Sequence, residues 1–435
     1  MRNLIARAER YFEFAELGTG WRTEFLAGAT TFMTMAYIIF VNPSILHEAG
    51  MPTAAVTAAT CLAAALGSLL MGAVARYPIA LAPGMGLNAY FTYSVVKGMG
   101  IDWHVALGAV FLSGIAFVLL TAVGVRQLIV NAIPHELYAA VASGVGLFIA
   151  FIGLRNAGIV TANPATVVGL GDLHSPSTLL ALFGLMLTAA LICAHVNAAI
   201  LIGVVVSWAL AAVTGTIHWE PQPYSARDIM ATAGQLDVRG ALHLGMFEII
   251  FAFLFVDLFD NVGTLLAVGK KAGLFTGAQD VPRLSRILYS DAIATIAGSM
   301  AGTSTVVSYV ESSAGVAAGG RSGVTAIVTG LLFVVALFVA PLAGAIPAAA
   351  TAPALIIVGS MMMTTVTEIA WGDPEIAVPA FLTMLGIPLT FSIANGLAFG
   401  FCAYTFLKIL RGRFREVSWM VYALTALFIV RFWYL

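Results

Sequence analysis

The sequence predicts an all-α integral membrane protein of about fourteen transmembrane helices, arranged as two inverted repeats of seven spans. The membrane class follows from composition, because 60% of the 435 residues are hydrophobic and only 9% are charged. A soluble domain carries about 25% charged residues, so a water-soluble chain of this size could not bury so much apolar surface. The repeat follows from one interrupted span at the corresponding place in each half.

Fourteen apolar stretches have about the length that crosses a bilayer. They are 23–46, 53–75, 80–98, 104–123, 135–155, 177–194, 196–215, 246–268, 284–301, 303–320, 323–342, 348–366, 375–390 and 391–410. A further apolar stretch, 418–435, could cross, lie on the surface, or indicate that 375–410 is a hairpin that crosses incompletely. Fifteen of the 20 Lys and Arg residues fall on the side of the N-terminus, which is therefore expected in the cytoplasm.

Polar segments divide the chain. Residues 1–22 are charged and amphipathic and lack the short apolar region of a signal peptide, so they are expected to lie along the cytoplasmic membrane surface. The longest polar break, 216–243, leaves seven spans on either side. Because each half has an odd number of spans, the second half has the opposite orientation in the membrane. The segment 67–72 (GSLLMG) resembles 298–302 (GSMAG), and each closes the second span of its half.

Both third spans contain residues that oppose a regular helix. The first, 77–88, carries two prolines and two glycines, and the second, 303–311, is rich in β-branched and hydroxyl residues. Non-helical backbone at membrane depth persists only where it lines a site or cavity. The two broken spans therefore predict a binding site near the midplane, with the partial positive ends of half-helices directed toward it.

Four acidic residues fall well inside apolar spans, with no Lys or Arg in mid-span to neutralise them: Asp257, Asp260, Asp291 and Glu311. A charge at the bilayer centre costs about 2.5–3.5 kcal/mol even on the most lenient scale, so such residues normally face an internal cavity. Asp257 and Asp260 share a helix face with Asn261 and Thr264. Asp291 lies nearer a span end, where a helix–helix hydrogen bond is favoured.

The first span carries a milder polar stripe of Thr30, Thr34 and Tyr37. Its hydroxyls could line the site or bond back to their own helix. The three cysteines, Cys61, Cys193 and Cys402, show neither a metal spacing nor a disulfide framework. No metal or cofactor is expected, and the net charge of −1 gives no basic field for nucleic acid.

Two other classes have weaker support. Residues 169–172 (GLGD) match a pattern of intramembrane aspartyl proteases, but they lie in a loop-like stretch, so we do not expect an enzyme. Broken spans also occur in channels, whereas unneutralised acids predict slow, saturable, coupled transport.

Four motifs carry a family resemblance. They are EFLAGATTFMTMAY at 24–37, LAPGMGLNAYF at 81–91, FVDLFDNVGTL at 255–265 and SYVESSAGVAAGGRSG at 308–323. These motifs, and nearly the whole chain, resemble the AzgA-like purine permeases of the xanthine/uracil permease superfamily. Asn261 and Ser322 depart from the family pattern, in which threonine is common at both positions.

The resemblance implies a core that carries substrate and slides against a gate. The implied divisions are an N-terminal segment 1–22, core segments 23–125 and 246–342, gate segments 126–215 and 343–435, and an inter-repeat loop 216–245. It also implies symport of protons with adenine, hypoxanthine or guanine across the inner membrane. A homodimer is compatible with the sequence, which does not define the oligomeric state.

The resemblance places family binding positions on Asn88, Asp257 and Glu311, with Asp260 close by. We expect the two acids to accept hydrogen bonds from the N–H edges of the base, and amides near Asn88 and Ser308 to meet its acceptor atoms. Thr30 and Thr34 complete the predicted site. The proton is expected to load one of three acids, Asp257, Asp260 or Glu311.

Overall fold

The computed structural model describes residues 2–124, 134–215, 226–243, 246–274, 281–338 and 346–434. The N-terminal segment forms two helices, Arg2–Tyr11 and Phe14–Leu17. The remaining elements follow the order of the predicted spans. The predicted loop 216–245 is described over 226–243, where the short helices Ala226–Ile229 and Val238–Ala241 lie.

The first half contains spans 1 to 7. Their elements are Trp21–Met35 and Ile38–His47 (span 1); Thr53–Leu70, continued by π-helical turns over Met71–Ala75 (span 2); strand β1, Leu81–Pro83, with helix Met85–Ala89 and π-helical turns Tyr90–Gly98 (span 3); Trp103–Ala122 (span 4); His135–Asn156 (span 5); Pro176–Cys193 (span 6); and Ala199–Val213 (span 7). Strands β2, Val160–Asn163, and β3, Val167–Leu170, form a hairpin between spans 5 and 6.

The second half contains spans 8 to 14. Their elements are Phe247–Lys271 (span 8); Leu284–Ala301 (span 9); strand β4, Val306–Ser308, with helix Ser312–Ala317 (span 10); Gly323–Ala336 (span 11); Ala348–Met362, continued by 3-10 turns over Met363–Glu368 (span 12); Pro374–Thr390 (span 13); and Ile393–Leu410 (span 14). Seven described helices are long and apolar enough to cross a bilayer by length and composition: Trp21–His47, Thr53–Ala75, Trp103–Ala122, His135–Asn156, Pro176–Cys193, Ala348–Glu368 and Ile393–Leu410.

The two broken spans meet in a short antiparallel ribbon. Leu81 pairs with Ser308, and Pro83 pairs with Val306, so β1 of the first half and β4 of the second half satisfy each other's backbone groups. All residues of both strands are buried. Helices begin just after each strand, which confirms the predicted interruption of spans 3 and 10. This pairing is how extended backbone persists away from water.

Each strand of the ribbon is also held by a hydroxyl from the second span of its own half. Ser68 donates to the Leu81 carbonyl over 3.1 Å and accepts from the Leu81 amide over 3.0 Å. In the second half, Thr295 makes the same pair of bonds with Val306, over 3.0 and 3.2 Å. The same local device in both halves agrees with an inverted repeat.

Small residues allow the ribbon to approach these helices. A Cβ at Gly67 would lie 2.9 Å from the Leu81 Cβ, and a Cβ at Gly298 would lie 2.7 Å from a Val306 methyl. Both distances are below ordinary van der Waals contact. The two glycines belong to the matching segments 67–72 and 298–302, so the internal similarity has a packing cause.

The spans pack most extensively within two groups. Spans 1, 2, 3, 4, 8, 9, 10 and 11 contact one another around the ribbon, and spans 5, 6, 7, 12, 13 and 14 form the other group. Fewer contacts join the two groups. Among them, span 3 contacts span 5, and span 12 contacts span 1. Substrate-carrying motion of one group against the other stays a prediction.

Charged residues at one end of the second group form a cluster. Glu375 is 2% exposed and lies 2.9 Å from the Lys408 ammonium and 3.0 Å from the Arg413 guanidinium. Hydrogen bonds from Arg413 and Lys408 hold the pKa of Glu416, in the loop after span 14, below its usual value. The first residues of span 13 and the last of span 14 therefore lie at the same end of a tight helical hairpin.

The apolar stretch at the C-terminus forms a helix, Trp419–Tyr434. It runs antiparallel to span 14, because Thr425 lies 2.8 Å from Thr405 while Phe428 packs on Phe401 and Phe432 stacks on Phe399. This helix therefore returns alongside span 14.

Candidate functional site

Asp257 of span 8 is linked to the ribbon by hydrogen bonds through Asn261. Asp257 is 1% exposed, and its Oδ1 accepts a hydrogen bond from Asn261 Nδ2 over 2.7 Å. The Asn261 Oδ1 in turn accepts from the Ser308 amide over 2.6 Å. The i, i+4 spacing on one helix face makes the first bond possible. The Ser308 amide thus donates to Asn261, and the contact of amides near Ser308 with a base stays a prediction.

The acid of span 10 is held by span 1. Glu311 directly precedes the short helix Ser312–Ala317 and is 8% exposed. Its Oε1 accepts a hydrogen bond from the Tyr37 hydroxyl. The Thr34 hydroxyl lies 3.4 Å from the Glu311 carbonyl and also bonds to carbonyls of its own helix. Span 1 therefore contacts Glu311 at both side chain and backbone.

Asp260 and Tyr309 complete a group with Asp257 and Glu311 that we call the acidic centre. Asp260 is half-buried on span 8, and its carboxyl group interacts electrostatically with Glu311 and with Asp291 of span 9. Tyr309 donates its hydroxyl to the Pro83 carbonyl over 2.5 Å, and its amide bonds to the Ala80 carbonyl over 3.0 Å. Asp257, Asp260 and Glu311, three of the four acids predicted from the sequence, are therefore connected to the end of β4.

Asn88 takes part in a different network, which is fully buried. Its Nδ2 donates to Asn42 Oδ1 over 2.5 Å, and its Oδ1 accepts from the Ser304 hydroxyl. Asn42 Nδ2 donates to Thr60 over 2.7 Å and to Thr303 over 2.9 Å. The Asn88 amide bonds within its helix, to the Gly84 carbonyl. Asn88 thus joins spans 1, 2, 3 and 10, and the contact of amides near Asn88 with a base stays a prediction.

Two other predicted positions, Thr30 and Asp291, lie on spans 1 and 9. The Thr30 hydroxyl donates to the Leu26 carbonyl of its own helix over 2.8 Å. Of the two alternatives drawn from the sequence, this is the one in which the hydroxyl bonds back to its own helix. Asp291 is 1% exposed on span 9, where it acts electrostatically on Asp260. In the 169–172 segment, Gly169 and Leu170 lie on β3 of the exposed hairpin, and the Asp172 side chain is 72% exposed.

The structure adds a buried acid that sequence reasoning had not counted among the acids inside the spans. Glu24, at the start of span 1, is 0% exposed. Its carboxylate accepts hydrogen bonds from the amides of Arg321, Ser322 and Thr325, over 3.0 to 3.2 Å. The sequence contained a sign of this contact, because Glu24 opens the first motif and two of its partners, Arg321 and Ser322, lie near the end of the last motif.

A polar cluster joins the two groups of spans at the face opposite the N-terminus. Tyr93 of span 3 donates to Glu48 Oε1 over 2.9 Å and accepts from Asn156 of span 5 over 3.3 Å. Lys97 pairs with the same glutamate, and the Arg155 guanidinium lies 5.6 Å from the centre of the Tyr93 ring. Nearby, the Ser94 hydroxyl bonds to the Phe391 carbonyl, between spans 13 and 14. We call these contacts the outer seam.

A ribbon that joins two inverted halves, with buried acids at its end, is typical of membrane transporters. Residues 22–399 match the Xan_ur_permease model, which describes the Permease family. The chain therefore belongs to the xanthine/uracil permease family, which confirms the resemblance drawn from its motifs. It is a multi-pass membrane protein and a transporter rather than an enzyme.

The relatives are close and of full length. The chain is 53% identical to a putative permease of Methanocaldococcus jannaschii, over 98% of each chain. It is 47% identical to the guanine/hypoxanthine permease PbuG of Bacillus subtilis, over 98% of this chain and 99% of PbuG. It is 45% identical to the adenine permease AdeP of Escherichia coli, over 97% and 95%.

Solved structures share the fold. The transmembrane domain of the cyanobacterial bicarbonate transporter BicA matches with a TM-score of 0.62 at 13% identity, covering 87% of this chain and 97% of that domain. SLC26A9 matches with a TM-score of 0.65 at 12% identity, covering 93% and 69%. At such low identity the similarity concerns the fold alone, and it agrees with the seven-plus-seven inverted repeat predicted from the sequence.

Proposed function

We propose that this protein imports a purine nucleobase, adenine, hypoxanthine or guanine, across the inner membrane by proton symport, with its N-terminus in the cytoplasm. The relatives named as adenine and guanine/hypoxanthine permeases, at 45% and 47% identity over nearly full length, carry this proposal. The lipid bilayer and the small base are the partners.

The chemistry of the site supports a base as cargo. Ionised carboxylates accept hydrogen bonds at both oxygens, and a purine presents several N–H donors at its edge. Asp257 is linked to the end of β4 through Asn261, and Glu311 follows β4 in the chain, so each would bind one edge of the ring. A base with the wrong edge pattern would leave a buried polar group unpaired, at a cost of about 1–3 kcal/mol.

Proton coupling is supported by the same acids. Asp260 and Glu311 interact electrostatically, and two negative charges this close disfavour each other inside the bilayer. Loading a proton on Asp257, Asp260 or Glu311 would relieve that repulsion and neutralise the loaded site before it moves through the apolar interior.

Elevator-type alternating access is supported by the distribution of contacts. The spans around the ribbon would move as one body against spans 5–7 and 12–14, and the outer seam would have to open in each cycle. Asn156 and Tyr93 belong to opposite sides of that boundary, and the bond between them is long, at 3.3 Å. A few polar contacts of this kind form and break more readily than a packed apolar interface.

The experiment is uptake of labelled purines by cells that lack their own purine permeases and express this chain. Glu311→Gln and Asp257→Asn are expected to abolish most uptake at normal expression, whereas Asp172→Asn, which changes an exposed acid of the β2–β3 hairpin, should leave it unchanged. Near-normal uptake by both site variants would remove the proposed binding roles. Accumulation that persists with a protonophore would refute proton coupling.

The alternative cargo is uracil, xanthine or another small solute on the same fold. Competition of labelled adenine and hypoxanthine uptake by a panel of bases separates these possibilities. Inhibition by uracil or xanthine at lower concentration than by any of the three purines would overturn the proposed substrate class.

A further inference from the structure

Tyr37 occupies a distinctive place in span 1. The helix Trp21–Met35 ends just before it and the helix Ile38–His47 begins just after it. The side chain is 0% exposed, and its hydroxyl meets Glu311 Oε1 from a segment 274 residues away. One turn earlier, Thr34 approaches the Glu311 carbonyl. The interruption of span 1 thus faces the acid of span 10.

The partner of this hydroxyl differs from that of two other tyrosines in the same group of spans. Tyr77 donates to the Pro282 carbonyl over 2.8 Å, and Tyr309 donates to the Pro83 carbonyl. A carbonyl is always an acceptor, so a fixed donor suffices there. A glutamate changes from acceptor to donor when it gains a proton, and a hydroxyl can serve both forms by rotating its O–H.

The groups around Glu311 are mostly acids and tyrosines, so the hydrogen bond from Tyr37 matters for both protonation states of Glu311. The titratable groups that face Glu311 are Tyr37 of span 1, Asp260 of span 8 and Tyr309 of its own span, and Asp291 of span 9 acts on Asp260. Arg321, the closest cation in sequence, directs its guanidinium to the carbonyls of Val316 and Gly320. Tyr37 is therefore a neutral donor to Glu311 in a setting of acids.

We propose that Tyr37 is a positioning residue for transport: it holds the Glu311 carboxyl group in both protonation states and sets the pH range over which the symporter works. This inference rests on the proposed purine–proton symport. Phenylalanine at this position would fill the same space and provide neither donor nor acceptor. This substitution would cost the ionised form of Glu311 more stabilisation than the protonated form, because hydrogen bonds to charged groups are stronger than those to neutral groups.

The test is the pH dependence of initial purine uptake by Tyr37→Phe. If transport uses the carrier with a protonated Glu311, uptake falls as the pH rises. Because Tyr37→Phe removes the hydrogen-bond donor to Glu311, the protonated form of Glu311 persists to higher pH in this variant. We expect the midpoint of this fall to move upward by about one pH unit, the size that one charge-assisted hydrogen bond implies. At acid pH, where both proteins are protonated, the rates should converge.

The matched control is Tyr77→Phe, which also removes one buried phenol hydrogen bond but leaves Glu311 untouched. Its midpoint should equal that of the wild type. An unchanged midpoint in Tyr37→Phe, or an equal shift in Tyr77→Phe, overturns the inference. Absence of purine uptake by the wild-type protein would instead overturn the proposed function.

Two further measurements test the inference if Tyr37→Phe fails to insert into the membrane. Tyr37→Leu also lacks the hydroxyl and should show the same upward shift. In the wild-type protein, the carboxyl stretch that disappears in Glu311→Gln should have the infrared frequency of a hydrogen-bonded acid. The frequency of a free acid would overturn the inference without any change at Tyr37.

Discussion

Replacing Glu24 by glutamine should destabilise the protein even though Glu24 lies outside the acidic centre. Its Oε1 accepts from the Thr19 hydroxyl over 2.7 Å and from the Arg321 and Ser322 amides. Its Oε2 accepts from the amide and hydroxyl of Thr325, over 3.2 and 2.6 Å. These amides lie at the start of span 11, so one carboxylate caps that helix from span 1.

The size of the effect follows from the donors left without an acceptor. Glutamine keeps one oxygen and turns the other into an NH₂ group that points at the donors of the lost oxygen. A buried donor without a partner costs about 1–3 kcal/mol, and the threonine hydroxyls can rotate toward other acceptors. The loss should therefore come from one or two amides and amount to about 3 kcal/mol.

Thermal unfolding in detergent measures this loss. For a chain of this length, about 3 kcal/mol corresponds to a decrease of roughly 3 °C in Tm. The exposed Glu16 provides the control, and Glu16→Gln should leave Tm unchanged. A Glu24→Gln protein with the Tm of the wild type would show that water or rearranged side chains satisfy the start of span 11, and would refute the reasoning.

Three further outcomes are expected. Asn42→Leu, which keeps a similar volume but removes the centre of the network around Asn88, should lower stability by about 2–3 kcal/mol and reduce uptake, read by thermal unfolding and transport. Gly315→Ala would place a Cβ 2.1 Å from a threonine hydroxyl of span 1 and should cost about 1–3 kcal/mol, whereas Gly372→Ala, with nothing within 4 Å, should be neutral in the same assay. Lys97→Met removes the ion pair that joins the ends of spans 1 and 3 in the outer seam. Ser44 of span 1 lies 3.3 Å from Thr351 of span 12, across the boundary between the two groups. Labelling of Ser44→Cys by a membrane-impermeant maleimide, in a cysteine-free background, should then be about two- to five-fold faster, and an unchanged rate would count against a role in closure.

The features that could be predicted from the sequence are local ones. Prolines and glycines mark the broken span 3 because they act on their own segment of backbone. The i, i+4 spacing of Asp257 and Asn261 predicted a shared face, and the two side chains are hydrogen-bonded. Acids without a compensating charge in an apolar span indicated an internal site, and Glu311 and Asp257 are both buried.

The partners across the fold could not be predicted in this way. Tyr37 meets Glu311 over a separation of 274 residues, Asn42 meets Thr303 over 261, and Glu24 meets the Ser322 amide over 298. A pattern within one span shows which face is polar, but not which group of another span lies opposite. The same limit applies to β1 and β4, whose extended backbone was expected but whose pairing depends on the inverted arrangement of the halves.

The ribbon has a consequence for biosynthesis. The edge of β1 is made early, yet its backbone partners belong to the second half of the chain. Until that half has been inserted, the amides and carbonyls of β1 lack the partners that hydrocarbon surroundings demand. The first half on its own should therefore be an unstable product that quality control degrades, and two halves made as separate chains should accumulate only when they are produced together.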